Sequence, residues 1–204
     1  MPELGEYSEV AICNLALAEV GRGAEIVSLD EPVQAARACK RRYPYARDAV
    51  LRSYDWNFAS RRTTLPALDG PPPFGYAAAF LLPVDCLLVR TVHEAGPRGW
   101  EIEGRRILAD AAPPLRITYT ARVTNPMSFD VLFTDALVTR LAADLAVQLA
   151  DSPSRAASLY QLYREKLALA RARDSDEGTA IRSPRNSWLD ARFEPGFVNM
   201  QGAE

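Results

Sequence analysis

The chain has 204 residues, about half of them apolar and a quarter charged, and a net charge of −2. That balance builds an ordinary folded core and excludes a disordered or fibrous chain. It also excludes the basic surplus of a protein whose main task is to grip DNA phosphates.

Taken in chain order, the first segment, Met1–Val10, carries Glu3, Glu6 and Glu9, with no basic run and no apolar stretch. It does not read as a signal peptide. A first helix is expected over Glu9–Val20, capped by Ser8, with Val10, Cys13, Leu17 and Val20 at helical spacing and Gly21 as the stop. A second is expected from Glu31, with Asp30 as cap and Pro32 in its first turn. Ala36, Cys39, Tyr43, Ala46, Val50 and Tyr54 form its apolar stripe; Arg37, Lys40, Arg41, Arg47 and Arg52 form the opposite, basic face. Pro44 falls inside this helix and is expected to kink or split it.

From Trp56 to Val123 prolines and glycines punctuate short runs. Strands are expected at Phe58–Leu65, Cys86–His93 and Leu115–Ala121, and Trp100–Glu103 and Arg106–Ala109 flank Gly104-Arg105 as a hairpin. In the last strand Leu115, Ile117 and Tyr119 alternate with Arg116, Thr118 and Thr120, the pattern of a half-buried strand. This block reads as one small antiparallel sheet inserted between helices.

Helical spacing returns after Asn125-Pro126. A third helix is expected over Phe129–Ala150, with Phe133, Leu137, Leu141, Leu145 and Leu149 along one side. Asp135, Arg140 and Asp144 interrupt it, so it is not a membrane span. Ser152-Pro153 starts a fourth helix, expected to run to Asp174, with Ala156, Leu159, Tyr163, Leu167 and Ala170 as its seam. The short turn makes the two an antiparallel hairpin. After Ser175 the periodicity ends. The tail is polar and rich in proline and glycine, yet it holds Trp188, Leu189, Phe193, Phe197 and Val198. Such a segment cannot bury enough surface alone to offset its ordering entropy. Its aromatic residues are the type that anchors an extended peptide on a partner.

The expected fold class is therefore α+β: an antiparallel helix bundle with an inserted small antiparallel β-sheet and an extended C-terminal arm. The divisions are 1–55 and 125–176 for the bundle, 56–124 for the sheet and 177–204 for the arm.

Motifs for chemistry are sparse. The one histidine, His93, sits on an expected strand, and no phosphate loop, H-E-x-x-H or G-x-S-x-G occurs. Asp135 and Asp144 are nine residues apart and read as a solvated or intersubunit face. Cys13, Cys39 and Cys86 are far apart in sequence and form no metal-type pair; their odd number and wide spacing, with no export signal, lead us to expect a reducing compartment and no disulfides. No enzyme activity, metal or cofactor is expected.

Several passages carry a wider pattern. Ala11-Ile-Cys-Asn14-Leu-Ala-Leu-Ala-Glu19-Val-Gly21 is followed by Ser28-Leu-Asp30-Glu31, Ala35-Ala-Arg37-Ala-Cys39, Tyr43 and Arg47-Asp48-Ala-Val-Leu51-Arg52. Trp56-Asn57-Phe58-Ala59, Leu82-Pro83-Val-Asp85-Cys86 and the tail sequence Ser187-Trp188-Leu189-Asp190-Ala191-Arg192 complete it. Together they resemble the head-to-tail adaptor proteins of short-tailed bacteriophages, the tail tubular protein A family, across Ser8–Arg192 and most thinly across Glu94–Pro114. The resemblance implies a structural virion protein assembled in the host cytoplasm, forming a ring, typically a dodecamer, beneath the portal protein. It implies that the C-terminal segment docks on the portal, that the lower face meets the tail nozzle protein, and that double-stranded DNA passes through the channel as cargo. On this footing Arg182, Arg185, Trp188, Leu189, Arg192, Phe193 and Phe197 are the candidate partner-binding residues. The alternative is a DNA-binding packaging factor that uses the basic face of the second helix.

Overall fold

The computed structural model describes residues 8–21 and 25–177. Its class is α+β, four helices and six short strands among the described residues.

Helix α1 spans Glu9–Val20. Ser8 caps it, its hydroxyl accepting from the Ala11 N–H at 3.0 Å. Gly21 ends it in the left-handed region (φ 87°), where a side chain would be strained, and returns its N–H to the Ala18 and Leu17 carbonyls. Helix α2 spans Gln34–Arg52, three residues later than the sequence suggests. Pro32 disfavours helical geometry in the residue before it, so Glu31 cannot open the helix. Instead the Glu31 carboxylate accepts from the Ser28 N–H at 2.7 Å, and Asp30 pairs with Lys40. Pro44 does not split α2. It lies on the exposed side, where water can satisfy the carbonyl that the missing N–H leaves free. Arg47, expected on the basic face, is buried: it pairs with Asp48 at 2.9 Å and stacks over Tyr43 at 5.9 Å.

A single 3-10 turn, Asn57–Ala59, precedes strand β1 (Ser60–Leu65), so Phe58 is not a strand residue. Strands β2 (Ala78–Leu81), β3 (Cys86–His93), β4 (Trp100–Glu103), β5 (Arg106–Ala109) and β6 (Leu115–Ala121) come next in the chain. They form two antiparallel sheets rather than one, ordered β1-β6-β3 and β2-β5-β4. The β4–β5 hairpin turns at Gly104 (φ 58°), the first of two loop positions, where glycine is favoured. Leu115, Ile117 and Tyr119 of β6 face a shared core with Phe80, Ile107 and Leu65.

Helix α3 spans Val131–Ala150. It starts after Phe129 because Asp130 is the cap, accepting from the Leu132 and Phe133 N–H groups at 2.8 and 3.0 Å. Helix α4 spans Pro153–Asp176 and opens on Ser152, whose hydroxyl accepts from the Arg155 N–H. Central α3 packs on α4, α1 and α2, and Phe133, Leu137, Leu141, Leu145 and Leu149 are all buried. Each such side chain contributes roughly 1.5–3 kcal/mol of burial energy. Cys13 of α1 and Cys39 of α2 are neighbouring free thiols, both buried in this core. The adjacent Cys39 thiol and burial push the Cys13 thiol far up, so it stays protonated.

Candidate partner-binding site

The sequence points to the segment beyond α4, and the structure describes the root from which that segment begins. Leu159, Tyr163, Leu167 and Ala170 seat α4 on the bundle core. Its final turns are then fastened to the link between α2 and β1. The buried Asp174 carboxylate accepts from the Asn57 backbone N–H at 3.1 and 3.2 Å, and the Asn57 side-chain amide donates to the Asp174 carbonyl at 2.6 Å. Arg171 donates to the Ser53 carbonyl at 2.7 Å and lies 5.7 Å over the Tyr54 ring. The Tyr54 and Ser175 hydroxyls are hydrogen-bonded.

Beneath this clasp the link itself is fixed. Trp56 is fully buried, its indole N–H donating to the Val50 carbonyl at 2.9 Å. It meets Tyr54 and Phe133 edge-on at 5.1 and 5.2 Å, and Phe58 stands 4.9 Å from Phe133. Edge-to-face contacts of this kind add about 0.5–1.5 kcal/mol beyond area burial. From the sheet side, an irregularity in β3 between Val89 and Thr91 re-aims Arg90. Arg90 donates to the Trp56 carbonyl at 2.7 Å, bonds Thr120 at 3.0 Å and pairs with Asp55 at 3.0 Å. Burial holds the Asp174 carboxyl above its ordinary range, although the Asn57 N–H draws it down. Burial lowers the Arg90 guanidinium, partly offset by Asp55 and Asp174. The end of α4 is therefore fastened at the place where bundle and sheet are bolted together.

A second feature lies on the flank of the bundle. Leu15 of α1 and Val131 of α3 are 54% and 65% exposed and border an open groove of about 520 Å³ with Ala18, Thr134 and Val138. Charges rim it. Lys166 of α4 reaches Asp135 at 2.8 Å and Glu19 at 3.3 Å, and bonds the Thr139 hydroxyl at 2.9 Å. Burial would lower the Lys166 ammonium, but the Asp135 and Glu19 carboxylates outweigh it and hold it above its ordinary value. Tyr160, Leu162 and Leu169 of α4 and Val147 of α3 are further large apolar side chains left exposed. A bundle flank of this composition suits packing against another protein.

The candidate residues Arg182, Arg185, Trp188, Leu189, Arg192, Phe193 and Phe197 lie outside the described residues. Of the other groups singled out, Asp135 joins the Lys166 cluster, whereas Asp144 pairs separately with Arg140 at 3.3 Å. His93 is exposed, its Nε2 3.3 Å from the Thr118 hydroxyl. Among the described residues no three His, Cys, Asp or Glu side chains gather as a metal site, and no helix is long and apolar enough to cross a membrane. Sequence reasoning missed the Asn57–Asp174 clasp entirely. Nothing in the sequence around either residue marks a partner 117 positions away.

No protein-family model matches the chain, and no curated protein matches it.

Proposed function

We propose that the chain is a structural head-to-tail adaptor of a phage virion, without catalytic activity. In this reading it forms a ring, a dodecamer on the family pattern, that joins the portal to the tail nozzle and lets DNA pass. The observation that carries the reading is the ordered set of passages from Ala11 to Arg192 that resemble the adaptor family, ending in Ser187-Trp188-Leu189-Asp190-Ala191-Arg192. The clasp at Asp174 supports it, because a docking arm works only if its root is held fixed against the body it tethers. The exposed apolar groove beside Leu15 and Val131, and the separate exposed side chains on α4, support it too. A ring needs two unlike patches that meet head to tail and close by rotation. Repeating modest contacts around such a ring gives avidity well beyond any one of them.

The arm supplies the contact with the portal, with Trp188 as its main anchor and Arg182, Arg185 and Arg192 pairing with acidic groups there. Truncating a buried aromatic at a contact centre costs on the order of 2 kcal/mol or more. The test is assembly. Trp188→Ala and a chain ending at Glu177 are mixed with portal-bearing capsids, and bound protein is counted after sedimentation. Both are expected to stay folded by circular dichroism, with the truncated chain failing to join and Trp188→Ala joining weakly. Normal joining by the truncated chain removes the arm from the mechanism.

A further inference from the structure

We infer that the solvent face of α2 is a phosphate-contact surface for double-stranded DNA. The inference stands on this helix alone and does not need the adaptor reading.

Helix α2 carries six cationic residues and one acid in its QAARACKRRYPYARDAVLR sequence. At 3.6 residues per turn, Arg37, Arg41, Tyr45 and Arg52 fall within about a quarter of the helix circumference. All four are exposed, and Tyr45 stands out at 77%. With a rise of 1.5 Å per residue, the stripe runs about 22 Å along the axis, two-thirds of a DNA turn. The one acid within it, Asp48, is already neutralised between Arg47 at 2.9 Å and Arg122 at 2.7 Å. Lys40 is taken by Asp30 beside the stripe. Arg37 donates to the Pro32 carbonyl at 3.0 Å and Arg52 to the Leu87 carbonyl, contacts that leave both charges without a counter-ion among the described residues. Arg41 likewise meets no carboxylate there.

The make-up of the stripe favours a nucleic-acid backbone over an acidic protein. Guanidinium groups bind phosphate through paired, parallel hydrogen bonds. Tyrosine hydroxyls are regular donors to phosphate oxygens. A largely exposed tyrosine set between arginines on one helix face is the aromatic interleaving that the run Arg37–Arg42 does not display when read along the sequence. Pro44, beside Tyr45 on the same face, removes an N–H but adds no charge. The chain's net charge of −2 means that no general field reinforces the stripe. The contact is therefore local to this helix face and salt-dependent.

The experiment uses the full-length protein and a fluorescein-labelled duplex of mixed sequence, with anisotropy read between about 50 and 200 mM salt. Two to four phosphate contacts give a log–log slope of about −2 to −4, a drop of roughly tenfold to a hundredfold in affinity across that range. The double variant Arg37→Gln/Arg41→Gln, checked for folding by circular dichroism, is expected to reduce the slope by nearly 2 units, about 0.9 for each phosphate no longer neutralised. Tyr45→Ala is expected to weaken binding several-fold with the slope nearly unchanged. Arg62→Gln, an exposed arginine on β1, serves as the control and is expected to change nothing. Three results overturn the inference: no salt-dependent binding to the duplex, an equal drop from Arg62→Gln, or tighter binding to polyglutamate than to DNA.

Discussion

Asp174 sets a testable electrostatic condition on the clasp at the end of α4. Its folded-state pKa is raised by burial. Between the ordinary carboxyl pKa and that raised value, the folded chain binds more protons than the unfolded one. Stability therefore falls as pH rises through this window, and the fall is complete above it. Asp174→Asn keeps an acceptor for the Asn57 N–H and removes the buried charge. We expect the variant to be at least as stable as the parent at neutral pH, with a flatter profile across the weakly acid range, measured by urea midpoints at stepped pH. A marked destabilisation at neutral pH would mean that Arg90 needs the carboxylate as its counter-charge. Single residues were the hardest scale to foresee. Cys13 and Cys39 were each legible as small apolar residues, yet their burial side by side in one core depends on how α1 and α2 lie together, which no local pattern encodes. Arg47 was misplaced for a related reason: Asp48, Glu9 and the Tyr43 ring make a niche for its charge that only the packed helix creates.

Among the described helices, α2 is the one that carries an interior proline, Pro44. An interior proline costs about 3 kcal/mol in a helix. Here the cost is moderated because the freed Lys40 carbonyl side is open to water and proline also restricts the unfolded chain. Pro44→Ala is expected to raise stability by roughly 1–2 kcal/mol, read as a higher denaturant midpoint with an unchanged slope. Where periodicity was long and strong the elements could be read closely. Helix α1 begins and ends at the residues its cap and glycine mark, and the α3 and α4 seams are buried as their spacing implies. Among the short elements, the β4–β5 hairpin was legible from the Gly104-Arg105 turn and its flanking runs, but β2 was not. The four residues of β2, Ala-Ala-Phe-Leu, show no alternation, and without them the two sheets collapse into one on paper. The α2 start was misread because a good cap residue, Asp30, stood before a proline whose steric effect on Glu31 prevails.

For the whole molecule, the proposed adaptor reading makes a statement about oligomeric state. A lone bundle presents its Leu15–Val131 groove and its exposed α4 side chains without the many-fold tethering that a portal ring supplies. The purified chain is therefore expected to be a monomer by light scattering, assembling only on the portal. A stable dodecamer in free solution contradicts that order of events. The α+β layout was accessible from sequence because helical spacing, then strand punctuation, then helical spacing succeed each other along the chain. The seven candidate arm residues lie beyond the described part of the fold.

The clasp also decides how a tug on the C-terminal segment would travel. A helix held only along its side unzips turn by turn from the free end, each contact failing alone. Here the Asn57–Asp174 and Arg171–Ser53 bonds tie the last turns of α4 to chain far away in sequence. Tension applied beyond residue 177 is thus shared at once between two distant stretches of backbone, and they must yield together before peeling can begin.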